Sequence, residues 1–318
     1  MSLLLAVLNW LGAHAPKLLA AGVGIGLLLP DLAALVRPAL PAFIILPLAI
    51  ALMRIDWADM ANYGRRLPLL ALLCGWMIVA SPILTWALLK PTALPEPLIT
   101  GIVLMAAAPP IVSAAGMALI LKLEAAVAVV VTVATMWLLP LVLPPLALIL
   151  LGLEIDISVG DFMLRLALFV VGAFAIGGVG RLLLGPARIQ RLAQPFDGLF
   201  VLFMVLFAIA IMDGVAAELA VRPGYVLLAT AMGFLFNIGL QVAGAAAFWW
   251  LGPRTALSVG LMSGNCNMGL MVVVLADKAD FDTVIFFAMA QVPMYTLPAL
   301  LLPLYRRLAA TAAHKAGA

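Results

Sequence analysis

The sequence predicts an all-α, polytopic membrane protein with ten transmembrane helices arranged as two inverted five-helix repeats. Three observations lead to this prediction: the composition, the apolar segments and the placement of the basic residues. Of the 318 residues, 67% are hydrophobic and 10% are charged, whereas soluble domains carry about 25% charged residues. An integral membrane protein is therefore expected. The net charge of +3 comes from few residues and does not indicate a nucleic-acid partner.

Ten apolar segments are separated by charged residues, Pro or Gly, and a bilayer is crossed by roughly 20 apolar residues. The segments are 18–35, 38–54, 67–89, 98–122, 125–152, 162–186, 197–217, 224–251, 255–277 and 282–305. Because each half holds an odd number of segments, the second half enters the membrane inverted. The predicted organisation is an interfacial segment over 1–17, a first repeat over 18–152, a second repeat over 153–305 and a cytoplasmic tail over 306–318.

Lys and Arg concentrate in cytoplasmic loops, so their placement predicts the orientation. With the N-terminus inside, twelve of the 17 basic residues, Arg65 and Arg66 among them, fall on the cytoplasmic side. The five on the other side are Arg37, Lys90, Arg165, Arg222 and Lys278. Both termini are therefore expected in the cytoplasm, and the chain in a bacterial inner membrane, as a monomer or a homodimer.

Two of the apolar segments contain residues that interrupt a helix. In the fourth segment, Pro109 and Pro110 have no N–H, which predicts that the carbonyls of Met105 and Ala106 lose their helical partners. In the ninth segment, two glycines and three uncharged polar residues occur between Ser263 and Gly269. Interrupted backbone at membrane depth occurs where it is buried in protein or lines a cavity, and a matching pair in inverted halves marks a transporter's binding site.

The polar residues deep in the segments are uncharged, which suits a neutral or anionic solute or a hard cation such as sodium. The predicted solute-binding residues are Pro109, Pro110, Ser113, Asn237, Asn265, Asn267 and Gln291. For Asn237 and Gln241, one turn apart, the alternative is that they tie neighbouring helices together. The acidic residues Asp213, Glu218, Asp277, Asp280 and Asp282 all fall near segment ends. Of these, only Asp213, one turn inside the seventh segment, comes near a position suited to proton uptake, and the favoured alternative is a solvated residue at the outer mouth.

Other functions fit the sequence less well. An intramembrane enzyme needs paired aspartates, a Ser-His pair or a His-rich zinc motif within the segments, and His14 and His314 lie near the ends of the chain. The 16 methionines are scattered, so packing is favoured over ligation of a soft metal, and no cofactor is expected apart from a sodium ion. A channel would need a ring of charged residues. A carrier is therefore the favoured interpretation, and an enzyme the remote one.

The stretches Ala-Ala-Pro109-Pro110-Ile-Val-Ser113 and Ser263-Gly-Asn-Cys-Asn267-Met-Gly-Leu270 resemble those of the bile acid:sodium symporter family, and the likeness extends over nearly the whole chain. This resemblance implies ten helices in inverted repeats, with the broken fourth and ninth helices crossing. It also implies a panel domain, a core domain and an alternating-access cycle. Members move sodium together with organic anions such as bile acids, pantothenate or keto acids.

The chain departs from this family at several positions that the resemblance assigns to sodium. Ala114 and Ala115 stand at a Ser-Asn pair, Met262 at a glutamate and Met77 at a glutamine, whereas Thr132 and Asn267 are retained. Two expectations follow. Either sodium binds through Thr132, Ser263, Asn265, Asn267 and carbonyls near Pro109, or the chain is a sodium-independent uniporter or exporter similar to the auxin efflux carriers.

Overall fold

The computed structural model describes residues 3–55, 67–152, 158–275 and 278–316. Three residues whose positions were predicted, Arg65 and Arg66 on the cytoplasmic side and Asp277 near a segment end, lie outside the described residues. Within the described ranges all regular structure is helical apart from one isolated β-bridge, as predicted for an all-α chain.

The α-helices of the first half are α1 (Leu3–Ala13), α2 (Ala15–Leu28), α3 (Pro30–Val36), α4 (Leu40–Met53), α5 (Leu67–Gly75), α6 (Ser81–Leu89), α7 (Glu96–Ala107), α8 (Ser113–Ile120) and α9 (Ala125–Leu151). Those of the second half are α10 (Val159–Leu184), α11 (Pro186–Arg191), α12 (Ala193–Ala210), α13 (Val215–Val221), α14 (Pro223–Ala247), α15 (Pro253–Gly264), α16 (Met268–Leu275), α17 (Phe281–Met289) and α18 (Gln291–Ala316). A 3₁₀ turn, Arg37–Ala39, joins α3 to α4, and a π-helical turn, Trp76–Ala80, joins α5 to α6. A further 3₁₀ turn, Trp249–Leu251, precedes α15.

Seven helical stretches in the described part of the chain are long and apolar enough to cross a membrane. They are Pro30–Met53, Leu67–Leu89, Ala125–Leu151, Val159–Leu184, Ala193–Val221, Pro223–Ala247 and Phe281–Ala309. Near the N-terminus, Leu3–Ala13 and Lys17–Leu28 form an apolar pair bent by 91°, which makes an eighth span if it counts as one. The protein is therefore a multi-pass membrane protein.

The boundary predicted between the first two segments, at 35–38, is wrong. The chain turns at Leu29, between α2 and α3, and continues as one span from Pro30 to Met53. Pro30 explains the turn, because a proline is well placed in the first turn of a helix and poorly placed inside one. Pro38 lies in the first turn of a 3₁₀ segment, where its missing N–H interrupts nothing.

The described chain forms two compact units, the first made of Met1–Ile55 and Leu168–Leu228. Here α4 and α12 run antiparallel, since ion pairs join their opposite ends. Arg37 contacts Asp213 at 2.6 Å, and Arg54 contacts Asp197. The helix α1 packs directly on α12 at Gly198, where an added Cβ would overlap the carbonyl of Leu8.

The second unit consists of Asp56–Ala167 and Ala229–Ala318, and it contains both interrupted stretches. The helix α7 packs on α17 at Gly101, beneath the ring of Phe286, and Thr283 donates a hydrogen bond to the carbonyl of Pro97 at 2.9 Å. The helix α9 packs against both α8 and α15. It stays continuous through Pro140, Pro144 and Pro145, as α18 does through Pro298 and Pro303. These prolines therefore do not end their helices, in contrast to Pro109 and Pro110.

Candidate functional site: two paired helix breaks

The first break separates α7 from α8 at residues 108–112. Its cause is the pair Pro109-Pro110, which supplies no N–H to the preceding turn. The carbonyl of Met105 loses its α-helical partner as predicted, because the residue four positions later is Pro109. It accepts instead from the N–H of Ala108, at 3.2 Å in a tighter turn. For Ala106 the prediction is correct, because the residues three and four positions later are the two prolines.

The carbonyl of Ala107 also lacks a helical hydrogen-bond donor. Its two helical donors would be Pro110, which has no N–H, and Ile111, whose N–H donates to the carbonyl of Asn265 at 2.9 Å. Among the described residues, no hydrogen bond reaches the carbonyls of Ala106 and Ala107, and both residues are buried. A buried acceptor left without a donor costs about 1–3 kcal/mol. The first break therefore presents two carbonyl oxygens that need a partner.

The second break separates α15 from α16 at residues 265–267, so Ser263 and Gly264 are still helical. The two breaks pair as a short antiparallel bridge between Pro110 and Cys266. Ile111 donates to Asn265, and the N–H of Asn267 donates to the carbonyl of Pro109 at 2.7 Å. The prediction that both stretches are interrupted and face each other is confirmed.

Two side chains near this pairing have buried oxygen atoms without a hydrogen-bond partner. Asn265 donates through Nδ2 to the carbonyl of Leu261 at 2.8 Å, which leaves its Oδ1 unpaired. The Oγ1 of Thr132 is buried and unpaired as well. By contrast, Thr135 donates to the carbonyl of Val131 at 2.7 Å. Both unpaired residues belong to the sodium-ligand set expected from the sequence.

Thr132 lies at the depth of the breaks, because α8 and α9 form a helical hairpin. Leu123 closes its turn by donating to the carbonyl of Ala118 at 2.8 Å, and Lys122 adopts a φ of 57°. Thr132 lies seven residues, or about 10 Å of helical rise, after the first residue of α9. Ser113 lies the same number of residues before the end of α8. Thr132 is therefore level with the start of α8, where the first break ends.

Ser263 is held by protein groups. The indole Nε1 of Trp76 donates to its Oγ at 2.9 Å, and this hydroxyl donates to the carbonyl of Val259 at 2.8 Å. Trp76 begins the π-helical turn, a distortion that often marks functional sites. Trp76 was not predicted from the sequence, although an indole in the middle of a span, away from the interfacial aromatic belts, is a usable signal.

Asn237 and Gln241 form a connected pair. Asn237 donates through Nδ2 to the carbonyl of Gly264, and Gln241 donates through Nε2 to Oδ1 of Asn237, both at 2.7 Å. The phenol of Tyr305, which was not predicted from the sequence either, donates to Oε1 of Gln241 at 2.7 Å. These contacts match the alternative in which the amides tie helices together, and a direct role of Asn237 in solute binding remains a prediction.

The remaining predicted residues are placed as follows. Ser113 is the first residue of α8 and is exposed, and the side chain of Asn267 is partly exposed beside the pairing. Gln291 is buried at the start of α18, where it donates to the carbonyl of Phe287 at 3.2 Å and keeps an unpaired Oε1. Among the described residues, no hydrogen bond joins Gln291 to the two breaks. Its role in binding stays a prediction.

Half-helix ends contribute partial charges where the breaks pair. The N-terminal ends of α8 and α16 follow the breaks, and the C-terminal ends of α7 and α15 precede them. N-terminal ends favour anions and C-terminal ends favour cations. Buried polar side chains among the described residues are all uncharged. The electrostatics of the site therefore come from backbone dipoles and unpaired oxygens.

A helical, multi-pass chain whose interrupted helices pair in its interior has the features of a membrane carrier. A family model, described as the sodium bile acid symporter family, matches residues 40–223, which is more than half of the chain. The chain therefore belongs to this family of membrane transporters, as the sequence resemblance indicated. The matched residues include the first break, and the second lies beyond them. No curated protein matches the chain.

Proposed function

We propose that this protein is a secondary active transporter that carries a small organic anion, together with sodium, by alternating access across a bacterial inner membrane. The proposal includes ten spans in two inverted five-helix repeats, with the two broken helices as the fourth and ninth and with both termini cytoplasmic. These ten are the seven long apolar stretches, the two broken helices and the bent N-terminal pair.

One observation carries the sodium part of the proposal. The breaks and the adjacent α9 hold four buried oxygen atoms that accept no hydrogen bond within the described residues: the carbonyls of Ala106 and Ala107, Oδ1 of Asn265 and Oγ1 of Thr132. Hard cations prefer such oxygen ligands. Two half-helix C-terminal ends add partial negative charge beside them. A sodium ion, moved as a co-substrate, would satisfy acceptors that are otherwise costly to bury.

The organic anion is supported by the opposite helix ends. The N-terminal ends of α8 and α16 are directed toward the breaks and favour a carboxylate without a buried Arg or Lys. Ser113 and Asn267, which are at least partly exposed, are the side chains best placed to contact such a solute. The half-buried Asn267 amide supplies both a donor and an acceptor.

The second candidate function is sodium-independent transport, and the state of Ser263 favours it. The hydroxyl of Ser263 accepts from Trp76 and donates to Val259, so part of the expected sodium-ligand set is already engaged. Ala114, Ala115, Met77 and Met262, which stand where the family resemblance implies sodium ligands, are all buried and apolar. A uniporter or exporter would use the same breaks for the solute alone.

Melting temperatures of the purified protein separate these functions. They are measured in NaCl and in KCl at equal ionic strength, each with a bile acid, pantothenate or a keto acid as the solute probe. Sodium coupling predicts that sodium raises the melting temperature of the wild type. Thr132→Val should remove this rise, and Thr135→Val, the same change one turn away on a bonded hydroxyl, should keep it. A solute response of equal size in both salts would support the sodium-independent carrier instead.

A further inference from the structure

A chain of three buried hydrogen bonds runs from the C-terminal helix to the second break. The phenol of Tyr305 donates to Gln241, Gln241 donates to Asn237, and Asn237 donates to the carbonyl of Gly264, each at 2.7 Å. The three side chains are exposed by only 7, 5 and 1%, respectively. Each amide uses its oxygen as the acceptor and its nitrogen as the donor, so all three bonds point in one direction. Bonds aligned in this way polarise and strengthen one another.

The endpoint of this chain is the peptide group between Gly264 and Asn265. Its carbonyl accepts from Asn237, and its N–H donates to the carbonyl of Leu261 at 3.2 Å. The next carbonyl, that of Asn265, accepts from Ile111 of the first break. The orientation of this peptide therefore sets where the unpaired Oδ1 of Asn265 lies.

Backbone packing makes the position of Gly264 sensitive to α14. A Cβ added to Gly264 would lie 2.4 Å from the carbonyl oxygen of Asn237 and 2.4 Å from Cγ of Gln241. The two helices are thus in backbone contact at the residue that receives the last hydrogen bond. Any rotation of the Gln241 side chain is transmitted to this contact, and Tyr305 is the residue that holds Gln241.

We propose that Tyr305, Gln241 and Asn237 form a positioning relay that holds the second break in its binding geometry, with Tyr305 as its distal residue. The role of the relay in binding rests on the proposed transport site at the breaks, whereas its effect on the break itself does not. Among the described residues, the hydroxyl of Tyr305 bonds to Gln241 and not to either break. It acts by fixing the Gly264–Asn265 peptide through two amides.

Thiol labelling tests the relay without any ligand. The protein has two cysteines, Cys74 in α5 and Cys266 at the second break, and both are buried. The thiol of Cys266 donates to the carbonyl of Ser263 at 3.1 Å, so it becomes reactive when the break opens. The rate of labelling by N-ethylmaleimide tracks the population of the open form. Cys74 reports on opening of the rest of the same unit.

Tyr305→Phe removes only the hydroxyl. We expect Cys266 to be labelled about five to ten times faster, the factor that corresponds to one lost hydrogen bond, while the rate at Cys74 stays unchanged. The matched control is Tyr295→Phe, the same substitution on the same helix at a hydroxyl that has no hydrogen-bond partner. It should change neither rate. Gln241→Leu should reproduce the effect, and adding Tyr305→Phe to it should contribute nothing more, because both act through one relay.

Two results would overturn the relay. An unchanged Cys266 rate in Tyr305→Phe would mean that the hydroxyl does not hold the break. An equal rise at Cys74 and Cys266 would mean that it stabilises the fold in general. Sodium is the probe for the transport site, and it should slow the labelling of Cys266 in the wild type. In Tyr305→Phe, half-maximal protection should require a higher sodium concentration. Absence of sodium protection in the wild type would count against sodium coupling, while the comparison of the two cysteines would still decide the relay.

Discussion

The N–H of Asn267 donates a hydrogen bond to the carbonyl of Pro109 at 2.7 Å, and these residues lie in the two different helix breaks. With the Ile111 to Asn265 bond, it makes Pro110 and Cys266 a facing pair of a short antiparallel ladder. In this position of a ladder the two Cα atoms are about 4.5 Å apart and the side chains are close. The breaks are therefore joined by backbone groups, and a single substitution at Pro109 or Pro110 leaves these groups and one proline of the pair in place.

This geometry predicts a disulfide between Cys266 and a cysteine introduced at Pro110. The expected Cα separation lies within the range of about 4.4–6.8 Å that disulfides span. In a Cys74→Ala background, oxidation of Pro110→Cys with iodine should remove both maleimide-reactive thiols, and a reductant should restore them. Pro109→Cys is the matched control, because neighbouring residues in extended backbone point to opposite sides. Equal cross-linking at 109 and 110 would contradict the pairing.

The features that the sequence predicted well are those with a local chemical cause. Tandem proline removes donors wherever it lies, so the first break follows from Pro109 and Pro110 alone. What the sequence did not reveal depends on partners distant along the chain. Ser263 looked like a free ligand, but Trp76, 187 residues earlier, donates to it. Tyr305 gave no local signal, since its role arises from the packing of α18 near α14.

Asn267 provides the most direct test of solute binding. Its backbone N–H holds the ladder and survives substitution, whereas its partly exposed side chain is not needed for the fold. The free energy of unfolding of Asn267→Ala should therefore lie within about 0.5 kcal/mol of the wild-type value, as it does for most surface substitutions. It should also lose the solute-dependent stabilisation, which is about 2.7 kcal/mol at a solute concentration 100 times the Kd. Thermal unfolding with and without a stabilising organic anion measures both.

The matched control is Asn9→Ala, which removes an amide from α1 in the other unit and should keep the full solute response. If Asn267→Ala binds the solute as the wild type does, the side chains that contact it must lie elsewhere, and Ser113 and Gln291 become the next residues to substitute.

Gly264 is expected to be intolerant of any side chain. An added methyl group would overlap the backbone oxygen of Asn237, which cannot rotate away as a flexible side chain would. Overpacking of this kind costs about 1–3 kcal/mol or more, so Gly264→Ala should lower the melting temperature clearly. Gly239 in α14 has open space around its Cβ position, and Gly239→Ala should be neutral or stabilise by about 0.5–1 kcal/mol. Similar effects of the two substitutions would refute the close contact between α14 and α15.

Asp213 is expected to act as a structural ion-pair partner rather than as a proton carrier. Arg37 contacts it at 2.6 Å, and both side chains are partly exposed, by 40% for Arg37 and 24% for Asp213. A double-mutant cycle with Arg37→Gln and Asp213→Asn should give a coupling of about 0.2–1 kcal/mol, which decreases with added salt. The exchanged pair, Arg37→Asp with Asp213→Arg, should recover part of this coupling energy. Uptake of the organic anion into proteoliposomes should respond to external pH in Asp213→Asn as it does in the wild type, since the carboxylate serves as the partner of the Arg37 guanidinium. A variant that transports equally at all pH values, when the wild type does not, would instead make Asp213 the site of proton coupling.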